Sequence, residues 1–452
     1  MRRLFTLILI LVCSRSGEAA ELSLEEFLAI VEAAHPGIRA AQYEPDLAEA
    51  EIRNALGRFD PDLSLNYTYK DSDGKDKLNM MEGSLKLPLN TVFSPTLKAE
   101  YRRGMGSSID PENLTSPAGE ASLGVSLPLF QGIFTDKRRN DLRKALLRPE
   151  IAQAQYRIER NALLRSAATA YWYWAESLAE VEVADSMLRL SQQRFDQVVA
   201  RVRAGEVAPI DSVEIAQEVL RRQGQLYDAL RKAEQARVDA SVFLWSGDGA
   251  PRQVTEQPSG LRDSDTSVTA EEVVAVALRN RPELIRMQKM RELARYDSSL
   301  SREYLRPFIQ AEAALMSYNV STISSVDYKV GLTISQPLLF RSASAGAQAA
   351  DIAVQRADLS MNIVERIVAA DAQNSLIAFS RARDRVTAAA SEVSLARRMV
   401  EAERLTLNAG ESTLLQINLR ERFYAEALLR LVKARGDAIR ALVSLRWATG
   451  TI

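Results

Sequence analysis

The fold is decided by residues 137–203, which read KRRNDLRKALLRPEIAQAQYRIERNALLRSAATAYWYWAESLAEVEVADSMLRLSQQRFDQVVARVR. The stretch contains one proline, Pro149, and no glycine, and good helix formers such as Ala, Leu, Arg, Glu and Gln dominate it. A single helix over these residues would be roughly 100 Å long, several times the width of an ordinary domain. A domain of ordinary size cannot bury such a helix, so we expect it to pack against other long helices as a coiled coil.

Two long helical hairpins are predicted, and each turns at an Ala-Gly pair. They consist of helices over about 137–203 and 212–245 around Ala204-Gly205, and helices over about 342–408 and 413–448 around Ala409-Gly410. Each hairpin ends on a tryptophan shortly before a glycine, Trp245 with Gly247 and Trp447 with Gly450, where a left-handed helix stop is expected.

The chain is duplicated internally. At one constant spacing, Glu25 and Glu26 match Glu271 and Glu272, Pro36 matches Pro282, Gln42 matches Gln288, and Pro61 matches Pro307. Chance similarity between two helices would rarely keep both prolines in step. We therefore predict a first repeat over 21–247, a linker over 248–266 that is rich in Gly, Pro, Ser and Asp, and a second repeat over 267–452.

Ahead of each long helix the hydrophobic period changes to two. Leu63, Leu65 and Tyr67 alternate with polar residues, which is typical of a strand with one apolar and one wet face. Strands are predicted within about 63–129 and about 309–338. The first repeat is longer here and holds two further candidate strands, so each chain supplies either four or six strands.

Residues 1–20 are predicted to be a secretory signal peptide. Arg2 and Arg3 precede an apolar run over 4–12, and small residues at Ala19 and Ala20 offer a cleavage site. Cys13 is a candidate for lipid attachment, although the residue before it is bulky. No later apolar run reaches the roughly 18 residues of a transmembrane helix. The exported chain is therefore expected either to be soluble outside the membrane or to cross it as β-strands.

Composition argues against several classes of function. Lys and Arg total 58 against 59 Asp and Glu, and without a separate basic cluster nucleic acid is not supported as a partner. The chain has one cysteine and one histidine, so metal sites built on thiolate and imidazole, Cys-His nucleophile pairs and Ser-His-Asp triads are excluded or lack a residue. We assign no catalytic residue, metal or cofactor, and His35, at a helix break before Pro36, receives a structural role.

Both the strands and the long helices require further copies of the chain. Six strands at most cannot close a barrel, because about eight are needed. An open sheet edge cannot lie in lipid, where its N–H and C=O groups find no water. Many apolar helix positions are small, such as Ala168, Ala216 and Ala233, which allows close approach between helices.

These features together resemble TolC-type outer-membrane efflux channels. The resemblance is carried by the predicted signal peptide, the tandem repeats, the related phrases around Pro128 and Pro337 on which the two strand regions end, the phrase Ala170-Tyr171-Trp172 and the two Ala-Gly tips. It implies a mainly α fold with β, built from two tandem repeats of helix, β-hairpin, long helix, turn and helix. On trimerisation such chains form an α-helical coiled-coil tunnel in the periplasm and a transmembrane β-barrel in the Gram-negative outer membrane.

The resemblance also implies a passive conduit. Such channels are exit ducts of tripartite efflux or type I secretion systems, in contact with outer-membrane lipid, docked by a periplasmic adaptor protein and driven by an inner-membrane pump. Drug, metal and protein exporters use similar conduits, and nothing in this sequence selects one cargo. The alternative is a secreted coiled-coil scaffold or adhesin without transport activity, whose strands should lack a consistently apolar face.

The resemblance assigns adaptor docking and closure of the tunnel to the helix tips. The tip residues are Arg203, Ala204, Gly205, Asn408, Ala409 and Gly410. The acidic ring that narrows the best-studied member is absent, because its positions hold Gln416 and Leu419. The corresponding positions of the first repeat hold Asp211 and Glu214, three apart and hence on one helical face.

We hypothesise that Asp211 and Glu214 form the constriction in threefold repetition and favour cations. Acids in a first helical turn also complement the helix dipole, so a purely structural role is the alternative. Leu415 and Leu419 are the apolar candidates for narrowing the bore. The tyrosine and arginine of the known latch are replaced by Leu407 and Ser412, which leaves Arg201 or Arg203 as candidate partners of Asp211.

Overall fold

The computed structural model describes residues 21–72, 76–106, 113–261, 268–322 and 326–452. The predicted signal peptide with Cys13, and part of the predicted linker, lie outside the described residues. The first repeat contains β1 Glu21–Leu22, α1 Leu24–Ala34, α2 Pro36–Gly57, β2 Asp62–Ser72, β3 Asp76–Pro88, β4 Thr96–Gly106, β5 Glu120–Pro128, α3 Lys137–Arg203 and α4 Pro209–Ser241. After it follow β6 Gln257–Pro258, α5 Ala270–Asn280, α6 Pro282–Glu303, β7 Phe308–Ser317, β8 Asp327–Ser335, α7 Arg341–Asn408 and α8 Leu414–Thr449.

The element order confirms the predicted fold class, a mainly helical chain in which one helix–strand–long-helix pattern occurs twice. The described residues fold as two compact units. The helical unit contains the residues up to Ala40 together with Glu159–Asn280 and Val368–Ile452, and the sheet unit contains Ala41–Ile158 and Arg281–Ile367. Among the described residues, no helix is both long enough and apolar enough to cross a membrane.

The duplication extends to the helix caps. The Ser23 hydroxyl accepts the N–H of Glu26 at 3.2 Å, and the Glu26 carboxylate accepts the N–H of Ser23 at 3.0 Å. Thr269 and Glu272 repeat this reciprocal pair before α5, at 3.4 Å and 3.0 Å. Such a capping box satisfies two N–H groups that a helix start leaves free.

The core of the helical unit is organised by Tyr171, which is fully buried. Its hydroxyl donates to the carbonyl of Leu22 at 2.6 Å and accepts the N–H of Ser259 at 2.9 Å. Its ring lies 5.3 Å from that of Phe27. One side chain of α3 thereby fastens the parallel pair of β1 and β6, in which Leu22 lies opposite Pro258.

The sheet unit contains a six-stranded sheet in the order β2-β3-β4-β5-β7-β8, and all neighbouring strands are antiparallel. The two extra strands of the first repeat are β3 and β4, and they lie inside the sheet rather than beside it. A small apolar cluster of Ala55, Leu142 and Ala145, with Ile52 and Phe59 against it, packs α2 on the start of α3.

A continuous apolar row crosses one face of the sheet from edge to edge. A row of directly paired residues crosses all six strands and consists of Leu63, Leu85, Ala99, Leu123, Leu315 and Tyr328. The row is exposed; Leu63, Leu123 and Tyr328 are 69%, 63% and 82% accessible. The opposite face is polar and carries ion pairs between Lys98 and Glu312 and between Arg102 and Glu120.

The expected left-handed helix stop at Gly247 is wrong. α4 ends earlier, at Ser241, and the left-handed residue of this segment is Gly249, with φ +85°. The N–H of Ser246 bonds the carbonyl of Ala250 at 2.9 Å, so the chain turns after the tryptophan and not at the end of the helix. In the second repeat Gly450, with φ +70°, ends α8 as expected.

His35 follows the last residue of α1. Its Nδ1 accepts the N–H of Gly37 at 3.0 Å, and its ring lies 6.2 Å from the ring of Trp245. Burial lowers the pKa of His35 below its usual 6.5, because a charged imidazole is poorly solvated there. The bond from Gly37 also needs Nδ1 without a proton.

Since His35 is the only histidine, its titration can be observed without interference. We expect the imidazole signal of ¹⁵N-histidine-labelled protein to titrate with a midpoint below 6.5. A lowered folded-state pKa means that the histidine's contribution to stability is present above pH 6.5. That contribution is lost as the pH falls through the folded pKa. H35Q, which does not titrate, should lack this step, and a midpoint at or above 6.5 would contradict the assignment.

Candidate functional site

The two helix tips share one backbone geometry. At the end of α3 the N–H groups of Gly205 and Glu206 bond the carbonyls of Val202 and Arg201, both at 3.0 Å. At the end of α7 the equivalent bonds from Gly410 and Glu411 to Leu407 and Thr406 measure 3.1 Å and 3.0 Å. This pair of bonds is the Schellman motif, which closes a helix end by satisfying its last carbonyls.

Glycine is required at both tips by backbone conformation and not by space. Gly205 and Gly410 have φ angles of +75° and +77°, in the left-handed region that glycine enters without strain. A Cβ added to either would meet no atom within 4 Å. The predicted tip residues Arg203, Ala204 and Ala409 are exposed, as are both glycines.

The two helices that leave the tips start differently. α8 follows Thr413, whose hydroxyl accepts the N–H of Gln416 at 3.3 Å. α4 follows Ala208, which offers no side-chain cap, and Pro209 fills its first position. Proline suits that position because its φ is helical and the missing N–H would have no partner there. α4 therefore begins earlier than residue 212, the start expected from the sequence.

The predicted gate acids lie on one face of α4. Asp211 is in the first turn, Glu214 is one turn further, and both are partly buried. Within the part of the chain that the structure describes, neither carboxylate forms a hydrogen bond or an ion pair. Arg201, one of the expected partners of Asp211, instead pairs with Glu206 at 3.1 Å.

The apolar gate candidates are exposed on α8. Leu415 and Leu419 are 66% and 45% accessible, and Gln416 between them is exposed as well. Ser412, at the position of the family's latch arginine, donates from its hydroxyl to Glu403 on α7. Arg420 also contacts Glu403, at 3.4 Å, so this carboxylate links α7 and α8 just before and after the second tip.

A buried ion pair that sequence reasoning missed joins the two hairpins. Arg194 on α3 and Glu421 on α8 meet through both guanidinium nitrogens, and their side chains are only 10% and 6% exposed. Asn418 accepts a further bond from Arg194 at 3.2 Å, and Arg404 on α7 lies 3.8 Å from Glu421. The network connects α3, α7 and α8 about three turns from the tips.

A sequence signal for the pair existed. Met187, Ser191, Arg194 and Val198 follow coiled-coil spacing along α3, and all four are buried. Arg194 therefore occupies a seam position. A charged residue at such a position predicts an oppositely charged partner buried beside it. On the outer face of the helix, a charged residue predicts only exposure to solvent.

A second buried pair, Glu176 with Arg440, links α3 and α8 nearer the middle of the helices. Burial raises the pKa of the Glu176 carboxyl, and the contact with Arg440 offsets only a part of that rise. A Cβ at Gly436 would lie 2.0 Å from the carboxylate, so the glycine makes room for it on α8. Arg440 also lies 3.9 Å above the ring of Tyr173.

The two buried ion pairs described above both join separate helices. In the described ranges, no group of three or more His, Cys, Asp or Glu side chains is placed to hold a metal ion. Each buried acid described above lies against arginine. Such pairs fix helix register, and the tips offer exposed side chains for binding.

The sequence matches the outer membrane efflux protein family over residues 29–239 and 273–451, one segment in each repeat. The chain therefore belongs to the outer membrane efflux protein family. It is an outer-membrane channel protein that extends into the periplasm, and it is not an enzyme. Proteins of this class are the exit ducts of tripartite efflux systems.

Solved structures of outer-membrane channels share the fold. VceC of Vibrio cholerae superposes with a TM-score of 0.67 at 15% identity, over 94% of this chain and 96% of that one. CmeC of Campylobacter jejuni gives 0.66 at 11% identity, over 95% and 85%. The open state of MtrE of Neisseria gonorrhoeae gives 0.66 at 14% identity, over 96% and 90%. No curated protein sequence matches the chain.

Because the Arg194–Glu421 pair is buried, we predict that two glutamate substitutions differ strongly in their effect on the free energy of unfolding. E421A leaves Arg194 buried without its carboxylate and should lower the free energy of unfolding by about 3–5 kcal/mol. E401A removes an exposed i,i+4 pair with Arg397, at 3.0 Å, and should cost less than about 1 kcal/mol. Thermal or denaturant unfolding of the detergent-solubilised variants measures both. Equal losses would show that the buried network contributes no more than a surface pair.

Proposed function

We propose that the protein works as a homotrimer, in which three chains complete one another's sheets and long helices. The observation that carries this is the sheet itself. Within the described residues, the outer edges of β2 and β8 have no partner strand, and an apolar, exposed row crosses one face from edge to edge. Lipid satisfies such a face but not such edges, so the edges need strands of neighbouring copies.

The same face argues against the alternative of a secreted scaffold. A scaffold in water should show strands without a consistent apolar side. Here the apolar row runs from Leu63 on β2 to Tyr328 on β8, without interruption by a charged residue. An exposed apolar surface of this extent is typical of a membrane or protein contact.

We further propose that the two tips receive a periplasmic adaptor protein that links the duct to an inner-membrane pump. Both tips expose backbone and side chains while their helices are fixed to each other by Arg194 and Glu421. A rigid support with exposed ends suits repeated docking, because little conformational entropy is lost when the partner binds. The pump supplies the energy, and the duct itself moves cargo passively.

The gate hypothesis is retained for Asp211 and Glu214. In threefold repetition these two unpaired acids place six carboxylates around the mouth of the tunnel. Carboxylate rings favour cations in pores. A purely structural role of the two acids in the helix dipole is the competing outcome of the test below. Leu415 and Leu419 stay the apolar candidates for narrowing the bore.

The domain limits are proposed as the sequence placed them, with two repeats over 21–247 and 267–452 and removal of residues 1–20 on export. Cleavage after Ala19 or Ala20 would leave β1, Glu21–Leu22, in place to pair with β6 and to bond Tyr171.

Single-channel recording tests both the duct and its gate. The wild-type protein should form conducting, cation-preferring channels in planar bilayers. D211A and E214A should each move the cation-to-anion permeability ratio several-fold towards one, since each removes three carboxylates from the mouth.

E206A is the matched control. It removes an acid from the same tip, but one that already pairs with Arg201, so the permeability ratio should change little. Unchanged selectivity in D211A and E214A would refute the gate and favour the dipole role. Absence of any channel from the wild-type protein would refute the duct.

A further inference from the structure

We infer that the chain contributes six strands, not four, to the closed sheet of the trimer, so that the outer part of the duct passes cargo of nanometre size. The inference rests on the proposed trimeric duct and predicts how wide its outer passage is. The second repeat supplies two strands, β7 and β8, whereas the first supplies β2 to β5. The additional unit is the hairpin of β3 and β4.

This hairpin is paired along its whole length. β3 pairs with β2 from Asp62↔Lys86 to Ser72↔Asp76, and with β4 from Leu78↔Gly106 to Pro88↔Thr96. β4 in turn pairs with β5 from Thr96↔Ser126 to Arg102↔Glu120. The hairpin therefore separates β2 from β5 by three strand spacings, or roughly 14 Å.

Both faces of the hairpin agree with the rest of the sheet. Met81, Leu85 and Leu97 point to the apolar face and are 47%, 42% and 40% exposed. Lys98 and Arg102 point to the polar face, where the ion pairs lie. A hairpin folded into a water-filled bore would gain nothing from an exposed apolar side, so this pattern favours a place in the wall.

A contact on the polar face binds the hairpin to the second repeat. Lys98 on β4 reaches across β5 to Glu312 on β7, at 2.6 Å. The residue of β5 directly opposite Lys98 is Gly124, which has no side chain to block the path. A Cβ at Gly124 would also lie 2.8 Å from the Cβ of Ala314. The close strand packing and the ion pair thus both depend on this glycine.

The turn of the hairpin is clamped at the start of α3. Arg139, whose side chain is 9% exposed, donates to the carbonyl of Val92 in the turn at 2.7 Å and to that of Ile133 at 3.0 Å. Its Nε donates to Asp136 at 2.8 Å, and Asp136 accepts the hydroxyl of Ser94 from the same turn. A buried guanidinium with this many partners holds the turn in one place.

Six strands per chain also allow the edge strands of neighbouring copies to pair in antiparallel orientation. With six antiparallel strands per chain, β8 of one copy runs antiparallel to β2 of the next. Three copies of the six-stranded sheet then close with eighteen strands in one alternating pattern. At about 4.8 Å between strands and a tilt of about 40°, a barrel of eighteen strands has a backbone-to-backbone diameter of roughly 36 Å, and one of twelve strands roughly 24 Å.

The width is tested with neutral polymers added to the extracellular side of single channels, where entry reports on the outer passage and not on the helix tips. Deletion of residues 76–106 removes β3 and β4 and leaves a first repeat with the two-strand layout of the second. The largest polymer radius that lowers the conductance should fall by roughly half in this variant. Polymers added from the periplasmic side are the control and should give the same cutoff in both proteins. Equal extracellular cutoffs would overturn the inference.

A disulfide test reads the strand order in the full-length chain. The A99C/L123C pair joins adjacent strands and should oxidise within one chain. L63C/L123C lies in the same row but three strands apart, beyond the 4.4–6.8 Å that a disulfide spans between Cα atoms, and should stay reduced. The reverse result would overturn the inference. If the wild-type protein conducts nothing, the proposed duct fails, and the disulfides still decide whether β3 and β4 lie between β2 and β5.

Discussion

The unpaired backbone at the two edges of the sheet is the constraint on which the rest of the structure depends. β2 and β8 each leave a row of N–H and C=O groups without a partner strand among the described residues, beside a face that is apolar from Leu63 to Tyr328. In water such edges are hydrated, but such a face has to be buried. In lipid the apolar face is well solvated, but the N–H and C=O groups of the edges find no partner. Only the addition of identical sheets resolves both demands, and this ties the membrane location of the family to the assembly that we propose.

The helical unit meets a related demand by other means. Its long helices pack along apolar seams, and the charged side chains that are buried there form ion pairs, Arg194 with Glu421 and Glu176 with Arg440. Buried pairs of this kind contribute little net stability compared with apolar packing, but a shifted register would leave a charge buried alone. We therefore regard them as register markers. They fix where each tip ends, so that Gly205 and Gly410 close their helices at defined positions.

Much of the fold followed from the sequence because its signals are local. Unbroken helical composition predicted α3 and α7, the Ala-Gly pairs predicted the tips, and the matched prolines predicted the repeats. Non-local choices were harder to predict. The alternation in β3 and β4 indicated strands but not their place in the sheet, which depends on partners such as Glu312, far away in the sequence. The stop expected at Gly247 failed because a hydrogen bond between Ser246 and Ala250 moved the turn. The roles of the tip residues stay predictions, since they concern contacts with other chains.

The mass of the detergent-solubilised protein tests the proposed assembly most directly, measured by native mass spectrometry or by light scattering with the detergent contribution subtracted. Three chains per particle are predicted, because the edges of β2 and β8 have to be paired and a ring of three closes them. A stable particle that contains a single chain, with its apolar face intact in solution, would contradict the account.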